Sequence, residues 1–393
     1  MDLANNNVDI FCRVIDNYGD AGFSYRLALV LCRRKGIGAE IRLFIDNLKT
    51  LHKIVPEIDP TQEFQRVNDI TVILFDDKHI LSKKYEPASL IIESLASNIP
   101  IFLKESIMSQ SQLILNIEHL TAETAFESMH GLSMPGYPIP RFLVAQGFSD
   151  KTAGILIEDD ILQKIQKIEK NRKKIRKTLF SQYVELAAVE PESILLVSVF
   201  SYQHDFSNLV IDLAKLERPV MLYVLGELSQ ESIHKLLNDK PIVKLSDKLV
   251  QLGNLYFVFE NFLTMEDYDR LLMVSDFNFV RGEDSLARAI LAGNPFIWHS
   301  YDQGDNYHLN KVSAFLNVLS KYQDDEILFK EYSHLLLAYN VRQSNAVNVN
   351  SDENYSQYLN KFAKIKNWVY HLRQFLIERG GLITEIERFI EKI

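Results

Sequence analysis

The chain has 393 residues, of which 47% are hydrophobic, and its 23 Phe and 17 Tyr argue against disorder. A chain of this length exceeds what one hydrophobic core usually supports, so we expect two domains. The net charge of −9 and the absence of a long apolar run argue against nucleic acid and membrane as partners. The start, MDLANNNVDIF, lacks the features of a secretory signal, so we expect a cytoplasmic protein.

Short apolar runs alternate with helix-length segments over the first 150 residues. The predicted elements are VDIFCRV, a helix near 22–35, IRLFID, ITVILF, LIIES and LILNIE. Strands separated by helix-length spacers predict a parallel sheet with helices on both faces. We assign residues 1–157 to an N-terminal Rossmann-like domain.

A charged helix with no strand signal follows at 158–182, and we take it as the linker between domains. Its positive charges lie between 164 and 177 and are spaced around the whole helix. A solvated linker helix is the interpretation we favour, and the alternative is a docking patch for an acidic partner.

The second half repeats the alternation of the first. SILLVSVF, VMLYVLG, LYFVFEN, FNFV and PFIWH are predicted strands, and helical patterns such as YDRLLMV and SLARAILAG lie between them. We assign 183–365 to a second Rossmann-like domain. Residues 366–393 are a closing helix pair, broken at Gly380-Gly381, that can pack back on the first domain. The predicted fold class is α/β, with two doubly wound domains facing each other across a cleft, where ligands bind at the carboxyl ends of the strands.

The first strand runs into an acidic turn, Asp16-Asn17-Tyr18-Gly19-Asp20. This is not the G-x-G-x-x-G fingerprint, because carboxylates would repel a pyrophosphate. In one interpretation Asp16 and Asp20 form hydrogen bonds of the turn and cap the next helix, as Asp commonly does beside glycine. In the other, the two carboxylates bind a cation or remove a proton at the mouth of the cleft.

A second turn, Arg281-Gly282-Glu283-Asp284-Ser285, lies between strand FNFV and helix LARAILAG. Gly282 permits a tight turn, and Arg281, the Ser285 hydroxyl and the free N–H groups of the first helical turn can bind a diphosphate. Glu283 or Asp284 could accept hydrogen bonds from sugar hydroxyls. An ordinary helix cap uses similar residues, so this motif alone leaves both interpretations open. His299, at the end of the following strand, is more typical of a structural histidine.

Three aromatic residues follow strands of the second domain: Phe200, Tyr202 and Phe262. Each belongs either to the core or to a surface that stacks on a base. Asp267-Tyr268-Asp269 has the D-x-D spacing of metal-dependent sugar transferases, but Thr264 to Asp267 is typical of a helix cap. We therefore expect a cap there and no metal ion.

These features resemble the elongation factor P arginine rhamnosyltransferases. The matching stretches are DIFCRVIDNYGDAGFSYRLA, LNIEHLTAE, GFSDKTAGIL, FSY and RGEDSLARAILAGNPFIWHSYDQ, and they span both predicted domains. The resemblance implies a metal-independent, inverting enzyme of GT-B fold without a cofactor, whose donor is dTDP-β-L-rhamnose. It implies that the acceptor is one arginine on the N-terminal domain of elongation factor P, and that residues 1–157 of this chain form the domain that binds this acceptor.

The resemblance also implies roles for individual residues. Asp20 is the expected general base, Asp16 is its neighbouring carboxylate, and Glu283 is grouped with these catalytic candidates. The residues expected to bind the donor are Asn17, Tyr18, Gly19, Phe200, Tyr202, Phe262, Arg281, Gly282, Asp284 and Ser285. The chemistry is consistent with this, because a guanidinium has a pKa above about 12 and must lose a proton as the C–N bond forms.

Three positions depart from the family pattern. Met265 replaces a common Gln that can bind the base, Ile117 replaces a Trp before Glu118, and Asp302 replaces a Pro. We therefore expect base recognition here to rely on the main chain. Two other functions remain open at this point. One is a GT-B transferase with a glycan or lipid acceptor, which would not need two acids in the first turn, and the other is a nucleotide-binding module without turnover.

Overall fold

The structure is a computed structural model that describes residues 7–15, 18–34, 37, 40–75, 85–183, 186, 189–302, 304–341, 355, 358 and 361–393. The chain forms two compact units. Unit 1 comprises residues 1–159 and 375–393, and unit 2 comprises residues 160–374. The helix at Phe362–Glu378 runs across the second boundary.

Each unit contains one sheet of seven strands. The strands in chain order are β1 Val8–Cys12, β2 Ile41–Ile45, β3 Phe64–Val67, β4 Ile70–Leu74, β5 Leu90–Ser94, β6 Leu113–Ile117, β7 Arg141–Val144, β8 Leu195–Phe200, β9 Val220–Leu225, β10 Val243–Lys244, β11 Leu249–Leu252, β12 Leu255–Glu260, β13 Phe277–Arg281 and β14 Phe296–His299.

The α-helices described lie between these strands and after β14. In chain order they are α1 Tyr18–Arg33, α2 Leu48–Ile54, α3 Lys104–Gln110, α4 Ile161–Phe180, α5 Ser207–Ala214, α6 Glu227–Leu237, α7 Met265–Val274, α8 Gly282–Ala292, α9 Tyr307–Leu319, α10 Glu326–Asn340, α11 Phe362–Glu378 and α12 Leu382–Glu391.

The sheet of unit 1 has the order β3-β4-β2-β1-β5-β6-β7, in which only β3 pairs antiparallel. The sheet of unit 2 has the order β10-β11-β12-β9-β8-β13-β14, in which β10 and β11 pair antiparallel and the other strands run parallel. The strand order reverses beside β1 in unit 1 and beside β8 in unit 2. Such reversals open a crevice at the carboxyl ends of the strands, which is where α/β folds bind ligands.

The predicted strands are confirmed because their apolar runs are buried on both faces, as helices on both sides of a parallel sheet require. All residues of β1 and β9 are buried, for example. Prediction missed the antiparallel edge strands β3 and β10 and also β7 and β11. The sequence FQRV of β3 alternates exposed and buried residues, and both residues of β10 are exposed, so neither carries a strong apolar signal.

Helix α1 begins at Tyr18, four residues before the predicted start near 22. Gly19 and Asp20 therefore lie in its first turn and not in the preceding loop. A carboxylate is favourable there because the first turn of a helix carries partial positive charge.

The prediction of a solvated helix at 158–182 is wrong for one face of α4. Arg176 is buried, and its guanidinium donates to the Asp276 carboxylate at 3.1 Å and to the carbonyl of Ile194. Arg172 donates to the same carboxylate at 2.5 Å. The lysines, such as Lys173 with 67% of its side chain exposed, do face solvent. The sequence pattern of this helix, in which charged residues alternate with isoleucines, does not show that Arg172 and Arg176 both bind Asp276.

The break between α11 and α12 falls at Gly380-Gly381, as predicted. Gly380 has a φ of +82°, and a Cβ on Gly381 would lie 2.5 Å from the carbonyl oxygen of Ile155. Leu382 N donates to that same oxygen at 2.9 Å. The backbone at the start of α12 can lie this close to Ile155 because residue 381 is a glycine and has no side chain. In the described part of the chain, no helix is long and apolar enough to cross a bilayer.

Candidate functional site

The turn from β13 into α8 has the geometry that the sequence predicts. Arg281 ends the strand with an extended backbone, and Gly282 follows with a φ of +68°. Residues with a side chain are strained at such a φ, so glycine is needed here. The Trp298 Nε1–H donates to the Gly282 carbonyl at 3.0 Å and fixes the turn against β14. Glu283, Asp284 and Ser285 occupy the first turn of α8, whose free N–H groups favour an anion.

Arg281 is held between two of the predicted aromatic residues. Its guanidinium carbon lies 4.4 Å from the ring centroid of Phe200 and 4.9 Å from that of Tyr202. Its Nη1 donates to the Ser201 carbonyl at 3.2 Å, and only 8% of the residue is exposed. These contacts arise because β8 and β13 are neighbours in the sheet. Two cation–π contacts and one hydrogen bond orient the guanidinium before any ligand binds.

Phe200 is itself fixed on two further sides. Gly226 has a φ of +75°, and a Cβ there would lie 2.9 Å from the Phe200 ring. The ring of Tyr268, on α7, meets Phe200 edge to face with centroids 5.7 Å apart. The ring of Phe200 thus packs against the core of unit 2 and also supports Arg281, and its contact with a ligand stays a prediction.

The acidic residues and the serine of the turn differ in their surroundings. Glu283 accepts from Lys311 Nζ of α9 at 3.0 Å, and both side chains are largely buried. Ser285 is 7% exposed, and Asp284 is half-buried. Burial raises the pKa of the neighbouring Tyr268 hydroxyl above its ordinary value, and the Ser285 side chain beside it opposes that rise. Structure therefore brings Arg281, Gly282, Glu283 and Ser285 to one edge of the sheet.

The predicted cap at Thr264 is confirmed. Thr264 Oγ1 accepts from Asp267 N at 3.1 Å and donates to the Asp267 carboxylate at 2.9 Å. Asp267 also accepts from Arg270 at 2.7 Å, while Asp269 binds Arg288 of α8 through two hydrogen bonds of 2.9 and 2.7 Å. Of the two carboxylates of the D-x-D spacing, Asp267 thus stabilises the first turn of α7, and Asp269 joins α7 to α8.

Phe262 and Met265 lie at the carboxyl end of β12, in the segment that leads into α7. Both are half-buried. Met265 is the first residue of α7, directly after the Thr264 cap. The departure from the family pattern at this position therefore falls beside Phe262, on the edge of the sheet that carries Arg281.

Sequence reasoning missed a polar cluster behind Arg281. The Ser201 hydroxyl lies 2.8 Å from His299 Nδ1 and 2.7 Å from the Tyr339 hydroxyl. Ser201 N donates to Ser229 Oγ at 2.7 Å, and Ser229 Oγ donates back to the Ser201 carbonyl at 3.0 Å. This carbonyl is the one that accepts from Arg281. His299 and Tyr339 follow Ser201 by 98 and 138 positions in the chain, so no local sequence pattern could predict these contacts.

His299 pairs with Arg281 in the register of β13 and β14. Burial lowers the pKa of His299 well below its ordinary value, and the neighbouring His204, His308 and Arg281 lower it further. The imidazole is therefore neutral at pH 7 and adds no second positive charge beside Arg281. This agrees with the structural role that the sequence favours for His299.

In unit 1, Asp20 lies in the first turn of α1, where its carboxylate forms a hydrogen bond with the preceding loop. Its Oδ2 accepts from Ile15 N at 2.8 Å, and the residue is 3% exposed. The interpretation of Asp20 as a turn residue is confirmed, and its role as a base stays a prediction. Cys12 donates to the Asp20 carbonyl at 3.6 Å, so the end of β1 is tied to the start of α1.

The other predicted residues of this turn are only partly described. Tyr18 accepts from Lys53 Nζ of α2 at 3.2 Å through its hydroxyl, and Gly19 is half-buried in the first turn of α1. Asp16 and Asn17 lie outside the described residues. The expectation that this acidic turn faces the Arg281 turn across a cleft stays a prediction.

Two further features lie at the carboxyl end of β5, which pairs with β1. Leu95 and Ala96 both have positive φ values, 52° and 57°, which are unusual for residues with side chains. Glu93, buried in β5, accepts from Arg141 at 2.7 and 3.0 Å and from Asn116 at 3.0 Å. Strained backbone beside the first strand marks this edge of the sheet as a candidate binding surface.

The departures at Ile117 and Asp302 have clear places in the fold. Ile117 is buried at the end of β6, and Glu118 follows it at the carboxyl edge of the unit 1 sheet. Burial raises the pKa of Glu118 above its ordinary value, opposed by His119. The Asp302 carboxylate accepts from Gly304 N at 2.8 Å, a hydrogen bond that a proline side chain could not accept.

Comparison with known proteins adds a family and a fold. The family model described as Elongation-Factor P (EF-P) rhamnosyltransferase EarP matches residues 8–391. A protein-arginine rhamnosyltransferase of Pseudomonas putida is 33% identical over 312 residues, which cover 78% of this chain and 80% of the relative. Another, from Shewanella oneidensis, is 28% identical over 396 residues and covers 98% of this chain and 97% of the relative.

A solved structure that describes EarP-mediated arginine glycosylation of translation elongation factor EF-P resembles the fold throughout. It covers 99% of both chains with a TM-score of 0.63 at 21% identity, so the likeness concerns the fold. The predicted fold class, two Rossmann-like α/β domains of GT-B type, is confirmed by this likeness and by the two mixed sheets.

Proposed function

This chain belongs to the elongation factor P rhamnosyltransferase family, and we propose that it transfers L-rhamnose from dTDP-β-L-rhamnose to an arginine of elongation factor P, with inversion at the anomeric carbon. The family membership makes it a protein-arginine rhamnosyltransferase. The finer statement is supported most directly by Arg281, which unit 2 holds between Phe200 and Tyr202 at the start of α8. A translation factor as acceptor implies that the reaction takes place in the cytoplasm.

The donor diphosphate would bind at the first turn of α8. Arg281 supplies a guanidinium fork, Ser285 a hydroxyl, and the helix its free N–H groups and dipole. Because Arg281 is already oriented by its neighbours, little conformational entropy is lost when it binds the phosphates. The same groups stabilise the negative charge that builds up on the departing dTDP.

We propose that these groups do the work that a divalent cation does in metal-dependent sugar transferases. Support comes from the two carboxylates with D-x-D spacing. Asp267 is engaged by Thr264 and Arg270, and Asp269 by Arg288, and the latter pair is nearly buried. Releasing either carboxylate to bind a cation would break a helix cap or leave a buried arginine without its partner.

On the acceptor side, the carboxylates of Asp16 and Asp20 would bind the positively charged guanidinium and accept its proton. One arginine nitrogen attacks the anomeric carbon, the C–N bond forms, and the bond from that carbon to the dTDP oxygen breaks. The electron pair leaves with dTDP, and the proton passes to a carboxylate. Attack from the face opposite dTDP inverts the anomeric centre. Glu283, oriented by Lys311, is proposed to accept from a sugar hydroxyl during this step.

The test is a transfer reaction followed by intact mass measurement. The purified chain is incubated with dTDP-rhamnose and elongation factor P of the same organism. We expect one added deoxyhexose on elongation factor P, and none on a variant of elongation factor P in which the acceptor arginine is replaced by lysine.

Two results would contradict the proposal. Binding of dTDP without any transfer would indicate a nucleotide-binding module. Transfer to a glycan or lipid acceptor, with elongation factor P unmodified, would indicate a different GT-B transferase.

A further inference from the structure

Tyr268 lies next to the proposed donor site, although the sequence does not predict that it binds the donor. It precedes Asp269, whose two hydrogen bonds to Arg288 fix α7 against α8. Its ring meets the edge of Phe200 with centroids 5.7 Å apart, on the ring whose face carries Arg281. Tyr268 is therefore packed against the ring that supports Arg281, on a helix that is fixed to α8.

The hydroxyl of Tyr268 is buried, and within the described residues it completes no hydrogen bond of full geometry. The side chain of Ser285, in the first turn of α8, acts on this hydroxyl and lowers its pKa, in opposition to burial. Burying a hydroxyl without a full hydrogen bond destabilises the fold, so such a group calls for an explanation. Burial raises the pKa of this phenol, which therefore remains protonated and able to donate.

A serine hydroxyl has one proton and two lone pairs, so what it donates to depends on what it accepts from. In a helix a serine proton commonly turns back to the carbonyl four residues earlier, which for Ser285 is that of Arg281. A donor on the side of α7 would occupy one lone pair of the Ser285 oxygen. The remaining proton is then available to an acceptor placed beyond the end of the helix.

We propose that Tyr268 is a positioning residue for the donor: its hydroxyl donates to Ser285 Oγ when the donor binds, so that the Ser285 proton is directed to the diphosphate. This inference rests on the proposed donor site at α8. Tyr268 touches neither the base nor the sugar in this scheme, and it acts only through Ser285.

Calorimetric titration with two probes, dTDP and thymidine, separates this role from a merely structural one. The variants are Tyr268→Phe, Ser285→Ala, their double mutant, and Tyr223→Phe as a matched control. Tyr223 is a buried tyrosine of the same core, and its hydroxyl interacts with Tyr183. Tyr268→Phe retains the ring, so the packing against Phe200 is kept.

We expect Tyr268→Phe to weaken dTDP binding by about 2- to 10-fold, the range for loss of one hydrogen bond. Thymidine, which lacks the phosphates, should bind as to the wild type. In the Ser285→Ala background the Tyr268→Phe change should have no further effect, and Tyr223→Phe should bind both probes normally.

Three outcomes would overturn the inference while leaving the proposed function intact. They are wild-type dTDP affinity in Tyr268→Phe, an equal loss of thymidine binding, and additive losses in the double mutant. Failure of the wild type to bind dTDP at all would instead contradict the donor assignment itself.

Discussion

Replacement of Arg281 is the most direct test of the donor site. In Arg281→Ala the guanidinium, its two cation–π contacts and its hydrogen bond to the Ser201 carbonyl are all removed. A hydrogen bond to a charged group contributes about 1.5–3 kcal/mol, so loss of the bond to the diphosphate should weaken dTDP binding by about 10- to 150-fold. Arg281→Lys keeps the charge but not the planar fork, and we expect an intermediate affinity.

The assay is calorimetric titration with dTDP and with thymidine. Because Arg281 is proposed to bind phosphate, thymidine affinity should change much less than dTDP affinity. Arg270→Ala is the matched control, since it removes the same charge from a half-exposed residue of α7 whose ion pairs, among the residues that the structure describes, are with Glu266 and Asp267 of that helix. Thermal unfolding of each variant checks that the fold is kept. A dTDP affinity in Arg281→Ala within about twofold of the wild type would refute the reasoning.

Three further predictions concern other parts of the molecule. Asp20→Asn should keep donor binding but lower transfer by at least about 100-fold, because the amide cannot accept the proton. Gly282→Ala should lose about 1 kcal/mol of stability and also weaken dTDP binding, whereas Gly253→Ala, at a φ of +60° in open space, should lose only stability. His299→Gln should flatten the decline of stability on acidification between about pH 6.5 and 5, by up to about 1.4 kcal/mol per pH unit.

The sign of the His299 effect follows from its lowered pKa. As the pH falls below about 6.5, the unfolded chain takes up a proton that the folded His299 does not, so the unfolded state is favoured. The measurement is chemical denaturation at several pH values, with exposed His371→Gln as control. An unchanged slope in His299→Gln would show that this histidine is not the group responsible. Undiminished turnover of Asp20→Asn would show that Asp20 is not the base. Normal dTDP binding by Gly282→Ala would show that the turn at Gly282 does not bind the donor.

The sequence by itself predicted the features that depend on near neighbours in the chain. Buried parallel strands require continuous apolar runs, so the parallel strands of both sheets other than β7 were identifiable. The turn at Arg281-Gly282 and the cap at Thr264 were identifiable for a similar reason, because a positive φ demands glycine and a free N–H demands an acceptor. The family resemblance rested on the same short stretches.

Only the tertiary structure decided how the side chains of these segments meet. Arg281 contacts Phe200, Tyr202 and the Ser201 carbonyl because β8 lies beside β13. No local sequence pattern predicts this strand order. The inward turn of Arg176 has the same origin, since its partner Asp276 is 100 residues away. Local preference determines which element forms, whereas the partners of a buried charge or hydroxyl are set by which elements pack together.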